Sequence, residues 1–442
     1  MSTKAWTAWA VAVLLFASPP TASSAADGTV RATLELRPDS RWLLEYELDS
    51  PARWLAFQRA PDTSRIGRWR PLDPAFEIAD EAGQERLRRR DGDAFDRVRL
   101  ELTPTYVPLP ADYAPFSPFS DGGMLFHSGR LFACAADCGS APGRWPIEVR
   151  VPPGQLIVRD GRTRRGRDQW VDTDSGRQIY VGTRAPVDTG ALLSLVDEAL
   201  PDRLRTALAV ELPRLMEAFA ARLGALEHRP VLYASWAAMP DGRHGRQGGV
   251  LPDQVFMHWY GAAALEGIDD EEVLAFFAHE IAHLYQGARF PDSEHAWIHE
   301  GAADWMSAAV RVAGGTMSAE ALERETDRLQ AVCARHITEA GGFAAARQRE
   351  FGLNYACGQV IAARLDAAIR AAGHAGGLFH GWRRFRALSA QGLPLDADGY
   401  AAALRALLPP ATAERLAAFA GGDDDAAAWR ALTAPAPDAP DG

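Results

Sequence analysis

Lysine is almost missing from this chain. Lys4 is the only one in 442 residues, and arginine supplies the rest of the 47 basic side chains. Beyond residue 4 no side chain can form a Schiff base, and none can serve as a phosphate-loop lysine. Positive charge is outweighed as well: 58 acidic residues leave a net charge of -11. That balance argues against nucleic acid or an anionic membrane surface as the partner. Cysteine is scarce, with four in the whole chain, and no internal repeat is visible. What is present is ordinary for a globular protein, 47% hydrophobic and 24% charged, which excludes disorder for most of the length. At roughly 150 residues per domain, two or three domains are expected.

Residues 1–26 read as a secretory signal. Lys4 is a minimal positive start, Trp6 to Ala17 is an apolar run, and small residues through Ala25 and Ala26 offer a cleavage point. The run is too short to span a bilayer, so no stable membrane anchor is expected after cleavage. A periplasmic or extracellular location follows, and it permits disulfides. Four cysteines allow three pairings. The sequential one, Cys134 with Cys138 and Cys333 with Cys357, is favoured by proximity. Only one of these pairs is tight, so a cysteine zinc ribbon is not expected.

From Thr29 to about Tyr180 apolar residues alternate with polar ones, as in Trp42, Leu44, Tyr46 and Leu48. This predicts an all-β domain over 27–186, packed as a sandwich. The arginine-rich segments Arg86 to Gly92 and Arg159 to Arg167 read as solvated loops. From Asp188 the period turns helical, through Leu192, Leu195, Val196, Leu200, Leu204 and Leu208. Strands are expected at 231–236 and 254–259, and helices from Asp269 to about Phe419. The resulting division is a catalytic part over 187–310, a helical part over 311–430 and a loose tail over 431–442. The fold class is α+β, with more than one domain.

The decisive string is Phe277-Ala278-His279-Glu280-Ile281-Ala282-His283. Asp269 and Asp270 can cap a helix here and Gly287 can stop it. His279 and His283 then stand on one helical face, about 40° and about 6 Å apart. Two imidazoles in that relation can share one zinc ion, and Glu280 can reach a water on the metal without ligating it. Leu274, Phe277, Ile281 and Leu284 fill one side of the helix, and Phe276 lies on the histidine side. The histidines therefore face an interior cleft rather than solvent.

A catalytic zinc wants three protein ligands and an open position. A third histidine at metzincin spacing would fall at 289, where the chain has Arg289. Glu300 lies 17 positions after His283, enough for a helix end, a loop and a return helix. Asp304, one turn further, can accept the second ring N–H of a zinc-binding histidine. His295 and His299 also stand i and i+4, but flank Trp297 and read as rim histidines.

Taken together, these segments resemble the gluzincin metallopeptidases, the thermolysin-like clan that includes alanyl and glycyl aminopeptidases. The likeness rests on H-E-I-A-H at 279–283 and W-I-H-E-G-A-A-D at 297–304. Tyr355-Ala356-Cys357-Gly358 is similar to the aminopeptidases' Y-x-K-G segment, which implies Tyr355 as a donor to the oxyanion. The lysine of that segment is Cys357 here. One departure stands out. The family's G-x-M-E-N strand, whose glutamate binds the substrate amine, is replaced by Gly248-Gly249-Val250-Leu251-Pro252-Asp253-Gln254. Gly248, Gly249 and Asp253 are then the substrate-binding candidates, with Asp253 the nearest acid to meet an amine.

The resemblance implies a thermolysin-like catalytic domain holding one Zn2+ on His279, His283 and Glu300. Its implied activity is hydrolysis of peptides or proteins, aminopeptidase-like, by a zinc-bound water with Glu280 as general base. Endopeptidase action, a non-peptide substrate, or metal binding without turnover are the alternatives.

Overall fold

The computed structural model describes residues 29–62, 64–109, 112–139, 143–173, 175–287 and 293–434. The expected export segment, Arg289 and the last eight residues of the expected tail lie outside the described residues. In strand Trp42–Ala52 the alternation is direct: Trp42, Leu44, Tyr46 and Leu48 are buried while the residues between them are half-buried. Leu34 pairs with Leu44 on one side and Val149 on the other, so matched apolar rows face one core. That pairing builds a six-stranded sheet in the order Arg167–Asp172, Trp145–Arg150, Val30–Leu36, Trp42–Ala52, Phe95–Leu102, Trp69–Pro71.

Two further sheets, of four and five strands, complete the β region. The expected two-layer sandwich is therefore incomplete, and the third sheet explains why. In the five-stranded sheet Phe126, Ile157, Ile179 and Val181 face the β-region core. Leu125, Val158 and Tyr180 face the other way, onto Leu193, Leu195, Val231, Tyr233 and Phe256. A sheet buried on both faces shows near-continuous apolar runs, which conceal the second layer from a period-two reading. The arginine-rich segments are also strands rather than loops. Arg86 and Arg88 lie on strand Gln84–Arg89 and pair with Glu81 and Glu77 of the neighbouring strand, while Arg162–Arg165 is a strand of its own.

The next sheet begins earlier than the helical pattern predicts. Leu193–Val196 is a strand that runs parallel to Val231–Ala237, and the helix starts only at Asp202, after Pro201. Leu193 and Leu195 are buried and alternate with half-buried neighbours, a four-residue run too short to separate the two periods. Val231–Ala237 pairs parallel with Gln254–Tyr260, which pairs antiparallel with Gly245–Leu251. Gly245–Leu251 ends the sheet as an edge strand. Val255, Met257 and Trp259 face the helices, while Phe256 faces the β region.

Helices occupy nearly all of the rest. Asp269 caps helix Asp270–Gln286 by accepting from the N–H groups of Glu271 and Glu272, and Gly287 ends it in a left-handed conformation at φ 63°. The final helix, Ala426–Thr433, is capped by Asp425 and buries Trp429 and Leu432. The expected tail boundary at 431 thus falls inside a packed helix. No described helix is long and apolar enough to cross a membrane. Both expected disulfides are formed, Cys134–Cys138 and Cys333–Cys357.

One helix contact is made through backbone on both sides. Gly301 of helix Ala296–Ala313 meets Gly358 of helix Leu353–Ala371 backbone to backbone. A Cβ on Gly301 would lie 2.1 Å from the Gly358 carbonyl carbon, and a Cβ on Gly358 would lie 2.2 Å from the Trp297 carbonyl oxygen. Only glycine fits at either position. Gly358→Ala is expected to cost about 3 kcal/mol, read as a lower urea midpoint. Gly352→Ala is the control, since nothing lies within 4 Å of its Cβ position.

Candidate metal centre

His279 and His283 lie one turn apart on helix Asp270–Gln286, which is apolar on its other sides through Val273, Phe277 and Ile281. Glu300 enters from helix Ala296–Ala313, fixed by the buried Trp297, Ala302, Ala303 and Met306. The three side chains converge on one point. His279 Nε2 and His283 Nε2 are 3.0 Å apart, and Glu300 Oε2 is 3.1 Å from each. Zinc ligands at about 2.0–2.1 Å in tetrahedral geometry stand about 3.3 Å from one another, so the spacing suits one such ion.

The hydrogen bonds behind the cluster decide what these atoms present. Asp304 Oδ1 lies 2.6 Å from His279 Nδ1, and a carboxylate can only accept. Nδ1 therefore carries the hydrogen, and in the neutral ring Nε2 keeps its lone pair. Gln286 Nε2 donates to the backbone carbonyl of His299 at 2.9 Å, which fixes the orientation of the amide. Gln286 Oε1 then accepts from His283 Nδ1 at 2.8 Å, and His283 Nε2 is likewise left with its lone pair. Two imidazole lone pairs and a carboxylate oxygen face one another inside the protein. With both rings neutral, a cation at their meeting point satisfies all three together.

The charge balance favours positive charge at the same point. Burial opposes charge on His279, yet the carboxylates of Asp304 and Glu300 outweigh it and hold its pKa well above the ordinary value. Burial likewise opposes charge on Glu300, but its neighbours His283, His279 and His299 keep its pKa well below the usual range. His299 Nε2 stands 3.3 Å from Glu300 Oε1, the oxygen turned away from the cluster.

Glu280 is fully buried, and neither of its oxygens accepts a hydrogen bond among the described residues. Burial raises its pKa. The Tyr355 hydroxyl is buried and unpartnered too, with its ring 5.7 Å from that of His279. Burial, then the carboxylates of Glu300, Glu280 and Asp304, push its pKa well above the ordinary phenol value. A buried carboxylate and a buried hydroxyl without partners are costly, and both stand beside the point where the ligand atoms meet.

Five of the candidate residues are thus brought together with Tyr355, which makes a sixth. The remaining three are not part of the cluster. Gly248 and Gly249 lie on the edge strand. A Cβ on Gly248 would meet the Phe256 carbonyl oxygen at 2.6 Å and the Phe276 ring at 2.7 Å, and Gly249 backs onto Tyr113. Asp253 sits in the turn after the strand at φ 56°, its carboxylate 3.6 Å from His228. The turn, not the strand, carries this acid. Two participants escape a motif reading. Gln286 is one turn past His283, a spacing that marks a shared helical face but no ligand class. Phe351, 40% exposed beside the Tyr355 ring at 6.2 Å, belongs to no motif.

No protein-family model matches this chain, and no curated protein does. Solved structures do. An M1 zinc metallopeptidase from Deinococcus radiodurans matches with 14% identity over 94% of each chain and a TM-score of 0.46. An aminopeptidase N family protein from Idiomarina loihiensis has 12% identity over 82% of this chain and 71% of that one, at TM-score 0.48. Yeast LTA4 hydrolase, at 12% identity, covers 94% of this chain and 69% of its own, with a TM-score of 0.51. The β region, the mixed sheet with its edge strand and the helical part together share the fold of yeast LTA4 hydrolase.

Proposed function

We propose that the chain is an exported zinc-dependent peptidase, with one zinc ion held by His279, His283 and Glu300. The observation that carries this reading is the three electron-rich atoms within 3.1 Å of one another beside an unpartnered, buried Glu280. Zinc, when bound, supplies Lewis acidity toward the scissile carbonyl and the attacking water. Glu280 takes the proton of that water and delivers it to the leaving nitrogen. The Tyr355 hydroxyl donates to the oxygen on which negative charge develops. Asp304 holds His279 in the orientation that presents Nε2. Two disulfides and the apolar run after Lys4 support export.

The carboxylate of Asp253 meets His228 rather than the histidine cluster, and the edge strand itself carries no acid between Gly245 and Leu251. That arrangement favours a second specificity, cleavage of internal bonds, beside the aminopeptidase one. Peptides with free and N-acetylated ends separate the two. An aminopeptidase should leave the acetylated series intact, and an endopeptidase should cut both series at the same bond.

The purified protein is expected to hold one zinc per chain by elemental analysis. Glu280→Gln should keep that metal and lose hydrolysis; loss of zinc from a folded Glu280→Gln protein would show that the division of roles is wrong. Tyr355→Phe keeps the ring packing and removes the donor, so kcat should fall about a hundredfold with little change in Tm. A normal kcat would return Tyr355 to a packing role.

A further inference from the structure

We propose that Gln286 is a positioning residue of the metal centre, whose side-chain amide sets the tautomer of His283 and ties that ring to the start of the Glu300 helix. The inference rests on the zinc reading above and concerns how this chain prepares its second histidine. The first histidine has a carboxylate behind it, Asp304. The second has none. Its Nδ1 donates to Gln286 Oε1, and an amide oxygen can serve there only if the amide nitrogen is turned away and occupied. The carbonyl of His299 occupies it at 2.9 Å. A carbonyl cannot donate, so the amide cannot flip without setting two acceptors against each other and two donors against each other. The orientation of one buried glutamine therefore decides which nitrogen of His283 is available.

The same amide measures a distance. His299 precedes Glu300, and its own ring stands against Glu300 Oε1 while Oε2 faces the histidines. His283, Gln286, His299 and Glu300 thus form a closed circuit joining the end of one ligand helix to the beginning of the other. The Gln286 backbone is itself pinned, since Trp382 Nε1 donates to its carbonyl at 3.0 Å. Gln286 is buried, and a solvated helix-end glutamine would need none of these partners. Partners of this kind behind a ligating histidine alter metal affinity by about 10- to 100-fold.

The test compares zinc affinity, by competition with a chromophoric chelator, in wild type, Gln286→Leu and Gln286→Glu, with the Tm of each chelated protein. Gln286→Leu should bind zinc about 10- to 100-fold more weakly, with the metal-free Tm nearly unchanged. Its cobalt-substituted form should show an altered visible spectrum. Gln286→Glu restores an acceptor for His283 but sets a carboxylate oxygen against the His299 carbonyl, so it should recover part of the lost affinity. Wild-type zinc binding by Gln286→Leu would overturn the proposal, as would equal loss in both variants. Should Gln286→Leu fail to fold, Gln286→Glu decides alone, and loss of zinc from that variant in folded form overturns the role. Wild type that binds zinc but cuts no peptide would sink the peptidase reading and leave this one standing. Wild type that binds no zinc would sink both.

Discussion

Everything at the metal centre hangs on two helices touching where neither has a side chain. Gly301 and Gly358 bring helices Ala296–Ala313 and Leu353–Ala371 to backbone contact. Glu300 is the residue before one glycine, and Tyr355 is three residues before the other. A normal helix pair is held at 8–10 Å between axes by its side chains. With such a spacer in place, the Tyr355 hydroxyl would be carried away from Glu300 and His279. The cystine at Cys357, next to Gly358, adds a covalent tie to helix Ala319–Ala340, so the close contact is held from a second side.

Close packing alone would not tolerate the charge gathered here. Glu280 and Glu300 are buried with His279, and ionised carboxylates in such a place carry a desolvation cost of several kcal/mol each. Histidine offsets part of it, and a cation held by these residues would offset the rest. Behind the two histidines the polar side chains accordingly present acceptor oxygens, Asp304 Oδ1 and Gln286 Oε1. Asp304 and the oriented Gln286 both hold hydrogen on Nδ1, so that each ring, when neutral, presents its Nε2 lone pair to the point where the three side chains meet.

Much of this was legible in the sequence because it is local. His279, Glu280 and His283 are related by helix geometry alone, and Asp304 by one further turn from Glu300. Tyr355 was reached through a resemblance, since no local rule connects it to the histidines across more than seventy positions; the glycine pair that delivers it is invisible until both helices are placed. Gln286 failed to register for another reason, because glutamine is common on helices and its role depends on a carbonyl across a loop. In the β region the alternation of Trp42 to Leu48 was direct, but Leu193–Val196 read as helix because four residues fit both periods. The arginines of Gln84–Arg89 read as loop because charge usually marks exposure. There they line a strand whose neighbour supplies glutamates, and the pairing is a property of the sheet rather than of either segment.

The edge strand Gly245–Leu251 shows how the β region enters the argument. Its two faces are both committed. On one, Gln247 accepts from the Tyr106 hydroxyl and donates to the carbonyls of Leu109 and Asp112, while Gly249 lies against Tyr113. On the other, Gly248 leaves room for Phe276, three residues before His279. A side chain at Gly248 would displace that ring and with it the helix carrying the histidines. The strand is thus held between the β region and helix Asp270–Gln286, to which Arg246 also pairs through Glu272. What it can offer an extended peptide is its outer row of N–H and C=O groups, the part of an edge strand that accepts another strand. Recognition by backbone alone is indifferent to whether the bound segment is the end of a chain or its middle. On the proposed peptidase reading, the absence of an acid from Gly245–Leu251 and the turn position of Asp253 belong to one arrangement, in which register along the strand would select the bond presented to Glu280.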